Sequence, residues 1–449
     1  MRHRAVADRL AEQIRSGELA AGTRLPTHRA LAAENGIAVA TATKVYRALT
    51  DAGLVIGEPG RGTFVRDLGG YSGLEPRRTG SVPRLADLAS NQPLDPAQGD
   101  QVRLALREMA AEGDPLTLLL QEPPGGRTRD QAAVATYLLG HRIDVTPDKV
   151  VLTSGGQQGL AAVLGTVTAP GSVVAVDALT YPGMKLLADS GRLRLEPIPV
   201  GADGVDLDVL AALCVRHRLS AVFTMPTMHN PLGLVLDLPA RQRIAELARR
   251  HDVAIIEDAT YAFLDPGAPD PIQTLAPERT FYVGGVSKCL APGLRFGFVV
   301  TPRGHRDAMI RSLRAASWGT STIATRLATR WIADGTIELV EKQRRDDARA
   351  RQTIARAELD GVDYQAHPGS YFGWLSLPEE ARMDIVAREL ANQGILVSTA
   401  DAFCTATTTP NALRLALATP RAAELTEALR QIRALVGRHL PDNVARRNG

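Results

Sequence analysis

GGVSKCLAPGLRFGFVV, residues 284–300, puts Ser287, Lys288 and Arg295 in one short loop, an amine nucleophile beside two phosphate anchors. A lysine that forms a Schiff base needs a rigid loop, and Gly284, Gly285, Pro292 and Gly293 bracket Lys288 with residues suited to tight turns. Lysine is also scarce. Only Lys44, Lys149, Lys185, Lys288 and Lys342 occur, although arginine is abundant. The plain alternative is a solvated lysine in a glycine-rich loop, so the stretch needs support from elsewhere in the chain.

That support comes from three other segments. Val150 to Leu152 reads as a buried strand running into Thr153, Ser154, Gly155, Gly156, Gln157 and Gln158, then into an apolar segment from Leu160. Strand, glycine turn and helix start, in that order, aim free backbone N–H groups at a phosphate. VAIIEDATYAF, residues 253–263, is an apolar strand ending in Glu257 and Asp258, with Tyr261 close behind. A carboxylate at the C-terminal end of such a strand lies where open α/β sheets place their ligands. There it can keep a pyridine nitrogen protonated, which makes the ring an electron sink. Phe223 to Met225 reads as another strand, leading into PTMHNPLG at 226–233, where Asn230 precedes Pro231. An Asn-Pro pair alone is ordinarily a turn.

Taken in order, these positions resemble a fold-type I aminotransferase dependent on pyridoxal 5′-phosphate, over residues 85–440. The resemblance implies an α/β fold, with a large domain on a mixed, mostly parallel sheet and a smaller C-terminal α+β subdomain. It implies Lys288 as the lysine bonded to the cofactor and Asp258 as the partner of the pyridine nitrogen. Asn230 and Tyr261 would hold the phenolic oxygen, and Tyr181, in TYPG at 180–183, would stack on the ring. Lys288, Asp258 and Tyr261 are the implied catalytic group. Gly155, Gly156, Gln157, Ser287 and Arg295 would hold the phosphate. Arg414, in NALRLALATP at 411–420, matches the arginine that clamps a substrate α-carboxylate, a bidentate task suited to a planar guanidinium. One position departs from the pattern. LLLQEPPGG, residues 118–126, lacks the tyrosine that reaches the partner subunit's phosphate, which implies weaker cofactor retention or a substitute group.

At 449 residues the chain is long enough for two or more domains, and its start is punctuated differently. Val6, Leu10 and Ile14 recur at helical spacing up to Gly17, a C-terminal stop. Thr27 is placed to cap a second helix ending at Gly36. A third helix runs from about Ala38–Ala40 to Gly53 and buries Ala42, Val45 and Leu49. A strand at Leu54–Ile56, a glycine-rich turn at 57–62 and a strand at Thr63–Val65 follow. Three helices and a hairpin are the parts of a winged helix-turn-helix. In that fold the third helix enters the major groove of double-stranded DNA, exposing Thr41, Thr43, Lys44 and Arg47. Arg61 would lie on the wing, and Arg29 and Lys44 would meet phosphates. Residues 1–67 hold ten Lys or Arg against seven Asp or Glu, so the net charge of +3 resides there.

LPTHRALAAENGIAVATATKVYRALTDAGLVIGEPGRGTFV, residues 25–65, resembles the DNA-binding module of GntR-type regulators. Ala38 and Val39 stand where serine and arginine are usual, which removes an N-cap and one DNA contact. Residues 67–84 are rich in glycine and proline and read as a flexible linker between this module, 1–66, and the domain at 85–440. The whole arrangement resembles the MocR subfamily of bacterial regulators, and the resemblance implies a homodimer.

Cys214, Cys289 and Cys404 have no metal-ligand spacing and no secretory leader before them, so no metal and a reduced, cytoplasmic setting are expected. Burial is the expectation for Cys289. No apolar run approaches the ~18 residues of a membrane span. Basic residues from Lys342 to Arg356 alternate with acidic ones and read as a solvated helix face. Two functions fit. One is a regulator that senses a small amine, an amino acid or pyridoxal phosphate through Schiff-base exchange at Lys288. The other is a working aminotransferase with an accessory DNA-binding module. The DNA module favours the first.

Overall fold

The computed structural model describes residues 2–15, 18–20, 22–58, 62–66, 71–72, 75–76, 84–93, 98–201 and 204–438. The chain opens with α1 (Arg2–Arg15), α2 (His28–Asn35), α3 (Val39–Asp51) and an antiparallel hairpin of β1 (Val55–Glu58) and β2 (Gly62–Val65). Thr27 Oγ1 accepts from Ala30 N at 3.2 Å and caps α2, and Gly36 ends that helix at a φ of 56°, where glycine is favoured. Ala38 precedes α3 with no side-chain cap, as its methyl dictates. Val6, Leu10 and Ile14 of α1 pack with Ala42, Val45 and Leu49 of α3 in one core. The elements of a winged helix-turn-helix are thus present. Gly17, the wing residue Arg61 and most of the expected linker at 67–84 lie outside the described residues.

The second unit is built on a seven-stranded sheet, with strands β3 (Val150–Thr153), β4 (Val173–Asp177), β5 (Arg194–Ile198), β6 (Leu219–Thr224), β7 (Ala254–Asp258), β8 (Thr280–Gly285) and β9 (Gly297–Val300). Their spatial order is β3-β9-β8-β7-β6-β4-β5, and only β9 runs antiparallel to its neighbours. The near-continuous apolar runs reflect strands covered on both faces, the condition for a parallel sheet. Helix α4 (Gly156–Val167) follows β3, and α5 (Pro182–Ser190) follows β4. The ends of β3, β6, β7 and β8 deliver Gly155, Asn230, Asp258 and Lys288 to one edge, the edge where open sheets bind ligands.

Beyond the long helix α6 (Thr336–Glu358) lies a smaller lobe. It has a four-stranded antiparallel sheet of β10 (Tyr364–Gln365), β11 (Phe372–Ser376), β12 (Ser398–Thr399) and β13 (Ala412–Ala416), in the order β10-β11-β13-β12. Helices α7 (Met383–Asn392) and α8 (Ala422–Gly437) cover it around a core of Leu375, Leu390, Leu413 and Leu429.

The solvated face expected from Lys342 to Arg356 is present, with Lys342, Asp346, Arg349 and Arg356 exposed, but it is only one side of the helix. Helix α6 bridges the two lobes and buries Glu341, Arg344, Ala348 and Gln352. On its inner side two arginines have specific partners: Arg344 Nε donates to Cys289 O at 3.0 Å, and Arg351 Nη1 donates to Leu417 O and Pro420 O, both at 2.6 Å. Alternating charge marked a helix, but the sequence could not tell which arginines had carbonyl partners.

Because α3 lacks a capping side chain, Ala38→Ser should stabilise the N-terminal module by about 1 kcal/mol. A thermal melt of the full chain that shows no rise in the module's transition would contradict this account of the helix start.

Candidate functional site

The loop between β8 and β9 presents Lys288, and its backbone is pinned from two sides. Val286 N donates to Phe296 O at 3.2 Å across the loop mouth, and Arg344 reaches Cys289 O from α6. Cys289 itself is fully buried, as expected of a small apolar side chain. The Lys288 amine donates to Asn91 O at 3.0 Å and lies 5.9 Å from the centre of the Tyr261 ring. Burial, with the Arg414 and Arg295 guanidinium groups nearby, lowers its pKa to about 8, against an opposing pull from Asp258. The amine is therefore neutral far closer to physiological pH than an exposed lysine.

Asp258 is buried at the end of β7, and its Oδ1 accepts from Thr260 N at 2.9 Å and Thr260 Oγ1 at 2.5 Å. Burial raises its pKa, while the Thr260 bonds and the Lys288 charge lower it. Such a carboxylate is stabilised by a cationic partner, as a protonated pyridine would be. Tyr261 is buried with its ring edge-on to Phe372 at 4.7 Å, and burial raises its pKa. Tyr181 stands at the start of α5, its phenol pushed up to about 12 by burial and by Asp258 and Tyr261, with Arg295 opposing. Those mutual influences place Tyr181, Tyr261, Asp258, Lys288 and Arg295 close together.

The phosphate end is shaped by glycines. Gly155 has a φ of 87° just before α4, and a Cβ there would come within 3.1 Å of Arg295 Nη2. A Cβ on Gly297 would lie 2.8 Å from Gly155 Cα, so the two backbones approach as closely as glycine permits. Arg295 Nη2 donates to Ser154 O at 3.3 Å. Gln157 donates through Nε2 to Gly183 O at 3.0 Å. Its Oε1, together with Ser287 Oγ and Asn230 Oδ1, is buried with no hydrogen-bond partner among the described residues. Buried polar atoms left unpaired are costly; Gln157 belongs to the glycine turn, Ser287 adjoins Lys288, and Asn230 comes from the loop after β6. The residues therefore fit a polar, anionic, ring-bearing cofactor of the pyridoxal phosphate kind.

Arg414, on β13, is buried, donates through Nη2 to Ser398 Oγ at 3.0 Å and also to Ala89 O, and lies over the rings of Phe403 at 5.0 Å and Phe372 at 5.4 Å. Sequence reasoning missed Asn91, Thr260, Arg344 and Phe403, which carry no local motif. It also missed Arg241, which is fully buried. Arg241 Nη2 donates to Pro226 O and Thr227 Oγ1, both at 2.8 Å, and Nε donates to Leu236 O at 2.9 Å, clamping the loop that carries Asn230. On the N-terminal module, Arg29, Thr43, Lys44 and Arg47 are exposed and Thr41 is half-buried. Tyr46 is buried and stacks on His28 at 4.7 Å.

Residues 83–432 match the family "Aminotransferase class I and II", and residues 2–65 match "Bacterial regulatory proteins, gntR family". The chain is a MocR-type member of the aminotransferase class I and II family. Membership implies pyridoxal 5′-phosphate as the cofactor. This MocR-type protein is 25% identical to the HTH-type transcriptional regulator YdeF of Bacillus subtilis, over 97% of this chain and 94% of YdeF. It is 26% identical to the probable rhizopine catabolism regulatory protein MocR of Rhizobium meliloti, over 86% of this chain and 81% of that one. Its fold is similar to LysN, an α-aminoadipate aminotransferase of Thermus thermophilus complexed with N-(5′-phosphopyridoxyl)-L-leucine. The TM-score is 0.71 at 25% identity, covering 78% of this chain and 92% of LysN.

The depressed lysine yields a pH prediction. Only the neutral amine attacks a carbonyl, so reductive labelling of Lys288 in cofactor-free protein by a small aldehyde should rise with pH through a midpoint near 8, not 10.5. Peptide mass spectrometry reads the site, and a midpoint above 10 would show that the amine is not desolvated.

Proposed function

We propose that this MocR-type protein is a DNA-binding transcriptional regulator whose domain at 85–440 senses a small amine, an amino acid or pyridoxal phosphate itself, by exchange at Lys288. Residues 1–66 are the DNA-reading unit in this reading, and 67–84 are the linker. One observation carries it: the same chain holds an exposed α3 face, with Thr43, Lys44 and Arg47, and a desolvated Lys288 amine set among Asp258, Arg295 and Arg414. A catalytic domain alone has no use for the first.

Bound pyridoxal phosphate supplies an aldehyde carbon to an amine and a ring that accepts electron density. Toward it, Ser287, Arg295 and the turn at Gly155, Gly156 and Gln157 bind the phosphate. Asp258 holds the proton on the ring nitrogen, Asn230 and Tyr261 steady the phenolic oxygen, and Tyr181 covers the ring. Arg414 orients an incoming carboxylate, and Lys288 is the amine that the incoming one displaces. Thr41, Thr43, Lys44 and Arg47 face the major groove, with Arg29 and Arg61 toward phosphates.

A cytoplasmic homodimer completes the proposal. Leu116, Leu119 and Leu120 are 66%, 78% and 59% exposed. Leu120 O accepts from Thr322 Oγ1 at 2.6 Å, which sets the exposed Ile323 beside them. An apolar face of this kind calls for a covering partner, and a second copy supplies it. Among the described residues no helix is long and apolar enough to cross a membrane.

Lys288→Ala should abolish the visible absorption band of lysine-bound cofactor and the ligand-dependent change in DNA affinity, while DNA binding at low salt persists. An unchanged spectrum refutes the assignment of Lys288. A working transaminase is the second reading, favoured by a lysine amine whose pKa is lowered to about 8 near Arg414, the arginine placed to bind a carboxylate. Keto acid released from a panel of amino acids would establish turnover.

A further inference from the structure

Four elements meet at one turn of the small lobe, residues 400–404, and only some of them belong to the cofactor site. Phe403 lies under Arg414 at 5.0 Å. Thr180 N, immediately before Tyr181, donates to Phe403 O at 2.9 Å, and Thr405 N donates back to Ala178 O at 2.8 Å. Lys185, one turn along α5 from Tyr181, donates to Asp401 O at 2.9 Å and Ala402 O at 3.0 Å. The turn is thus gripped from the ring-covering side and from the carboxylate-binding side at once.

The fourth element is the DNA-binding module. Arg66, the residue after β2, pairs with Asp401 Oδ2 at 2.6 Å, and both side chains are less than one-fifth exposed. Arg66 also reaches the turn that follows α3, with Nη1 donating to Gly53 O at 3.5 Å. Around this pair, Arg382 lies over the Phe64 ring at 4.8 Å and donates to Val65 O at 3.4 Å. Thr409 N donates to Gly57 O at 3.4 Å. Ile56 is buried against the small-lobe core. One face of the wing hairpin is therefore seated on the lobe, while α3 keeps its exposed face.

We propose that the 400–411 segment is the seat of the wing, and that the Arg66–Asp401 pair relays occupancy of the cofactor site to α3. The proposal rests on the sensing function stated above. A carboxylate that engages Arg414 competes with the present contacts of that guanidinium, to Ala89 O, Ser398 and the Phe403 ring. A ligand against Tyr181 loads the start of α5, whose Lys185 holds the Asp401 carbonyl. Either event acts on the turn, and the turn reaches the loop that ends α3 through two consecutive contacts of one side chain, Asp401 to Arg66 and Arg66 to Gly53. Coupling requires the ligand to bind the two arrangements of the turn with different affinity, and its size is the ratio of those affinities. Arg66 and Asp401 act here as positioning residues.

The test uses the full chain loaded with pyridoxal phosphate and DNA from upstream of its own gene, with affinity read by fluorescence anisotropy. Aminooxyacetate brings both a nucleophilic nitrogen and a carboxylate for Arg414, whereas methoxyamine brings the nitrogen alone. Aminooxyacetate should change DNA affinity by on the order of tenfold, and methoxyamine by clearly less. In Arg66→Ala and Asp401→Asn the response should fall to within about twofold of none, with the double variant no lower than either single one. The visible spectrum of both variants should still shift with aminooxyacetate, showing that the site is filled and the domain folded. Arg66→Lys keeps the charge and should retain part of the response. Full responses in Arg66→Ala and Asp401→Asn overturn the relay and leave sensing intact. A parent chain whose DNA affinity ignores the cofactor and both ligands overturns sensing and relay together.

Discussion

A lysine amine buried beside two guanidinium groups is an unfavourable arrangement, and the aminotransferase-like domain is organised around it. Arg295 and Arg414 both lie near the amine, and each disfavours a charge on Lys288. Asp258 is the carboxylate that opposes them there, and its own burial limits how far it compensates. The balance brings the Lys288 amine to half-neutral near pH 8 and leaves the site electropositive. That field suits a ligand carrying two anionic ends. Burial of the amine and recognition of the anions are thus one electrostatic solution.

Maintaining that balance requires rigidity, because a small retreat into solvent would restore the ammonium. Rigidity comes from far along the chain. Arg344 on α6 fixes the carbonyl next to Lys288, Asn91 accepts from the amine, and Arg241 clamps the loop that brings Asn230 to the cavity. All three act on or through backbone carbonyls, which leave no trace in side-chain patterns. This is why Lys288, Asp258, Gly155 and Arg414 were legible in the sequence and their supports were not. The former sit on short motifs whose spacing follows strand, turn and helix. The latter are ordinary polar residues made special by contacts that local sequence does not encode.

The same contrast separates the two ends of the protein. In the N-terminal module, local rules sufficed: Thr27 caps, Gly36 terminates, and Ala42, Val45 and Leu49 share a helical face. In α6, charge alternation marked the solvated face but not the buried one opposite it, because arginines reach carbonyls through long apolar stems that pack well in interiors. The joint between module and lobe was invisible in the sequence for a similar reason. Arg66 reads as an exposed charge at the end of the module until Asp401 is beside it.

The chemistry of that joint bears on how strongly a sensor of this design can act. Its contacts are one partly buried ion pair, one arginine over an aromatic ring and a few hydrogen bonds to backbone, with Ile56 as the apolar anchor. Interfaces this polar open and close readily, which suits a switch, whereas a large apolar joint would lock the module in place. A small joint also sets a ceiling. The ligand can shift DNA affinity by no more than the difference in free energy between the seated and unseated wing. A few contacts of this kind are worth a few kcal/mol at most, since ion pairs that keep some contact with water contribute little individually. The response should accordingly be graded, in the range of tens of fold, and should weaken with salt as the Arg66–Asp401 attraction is screened.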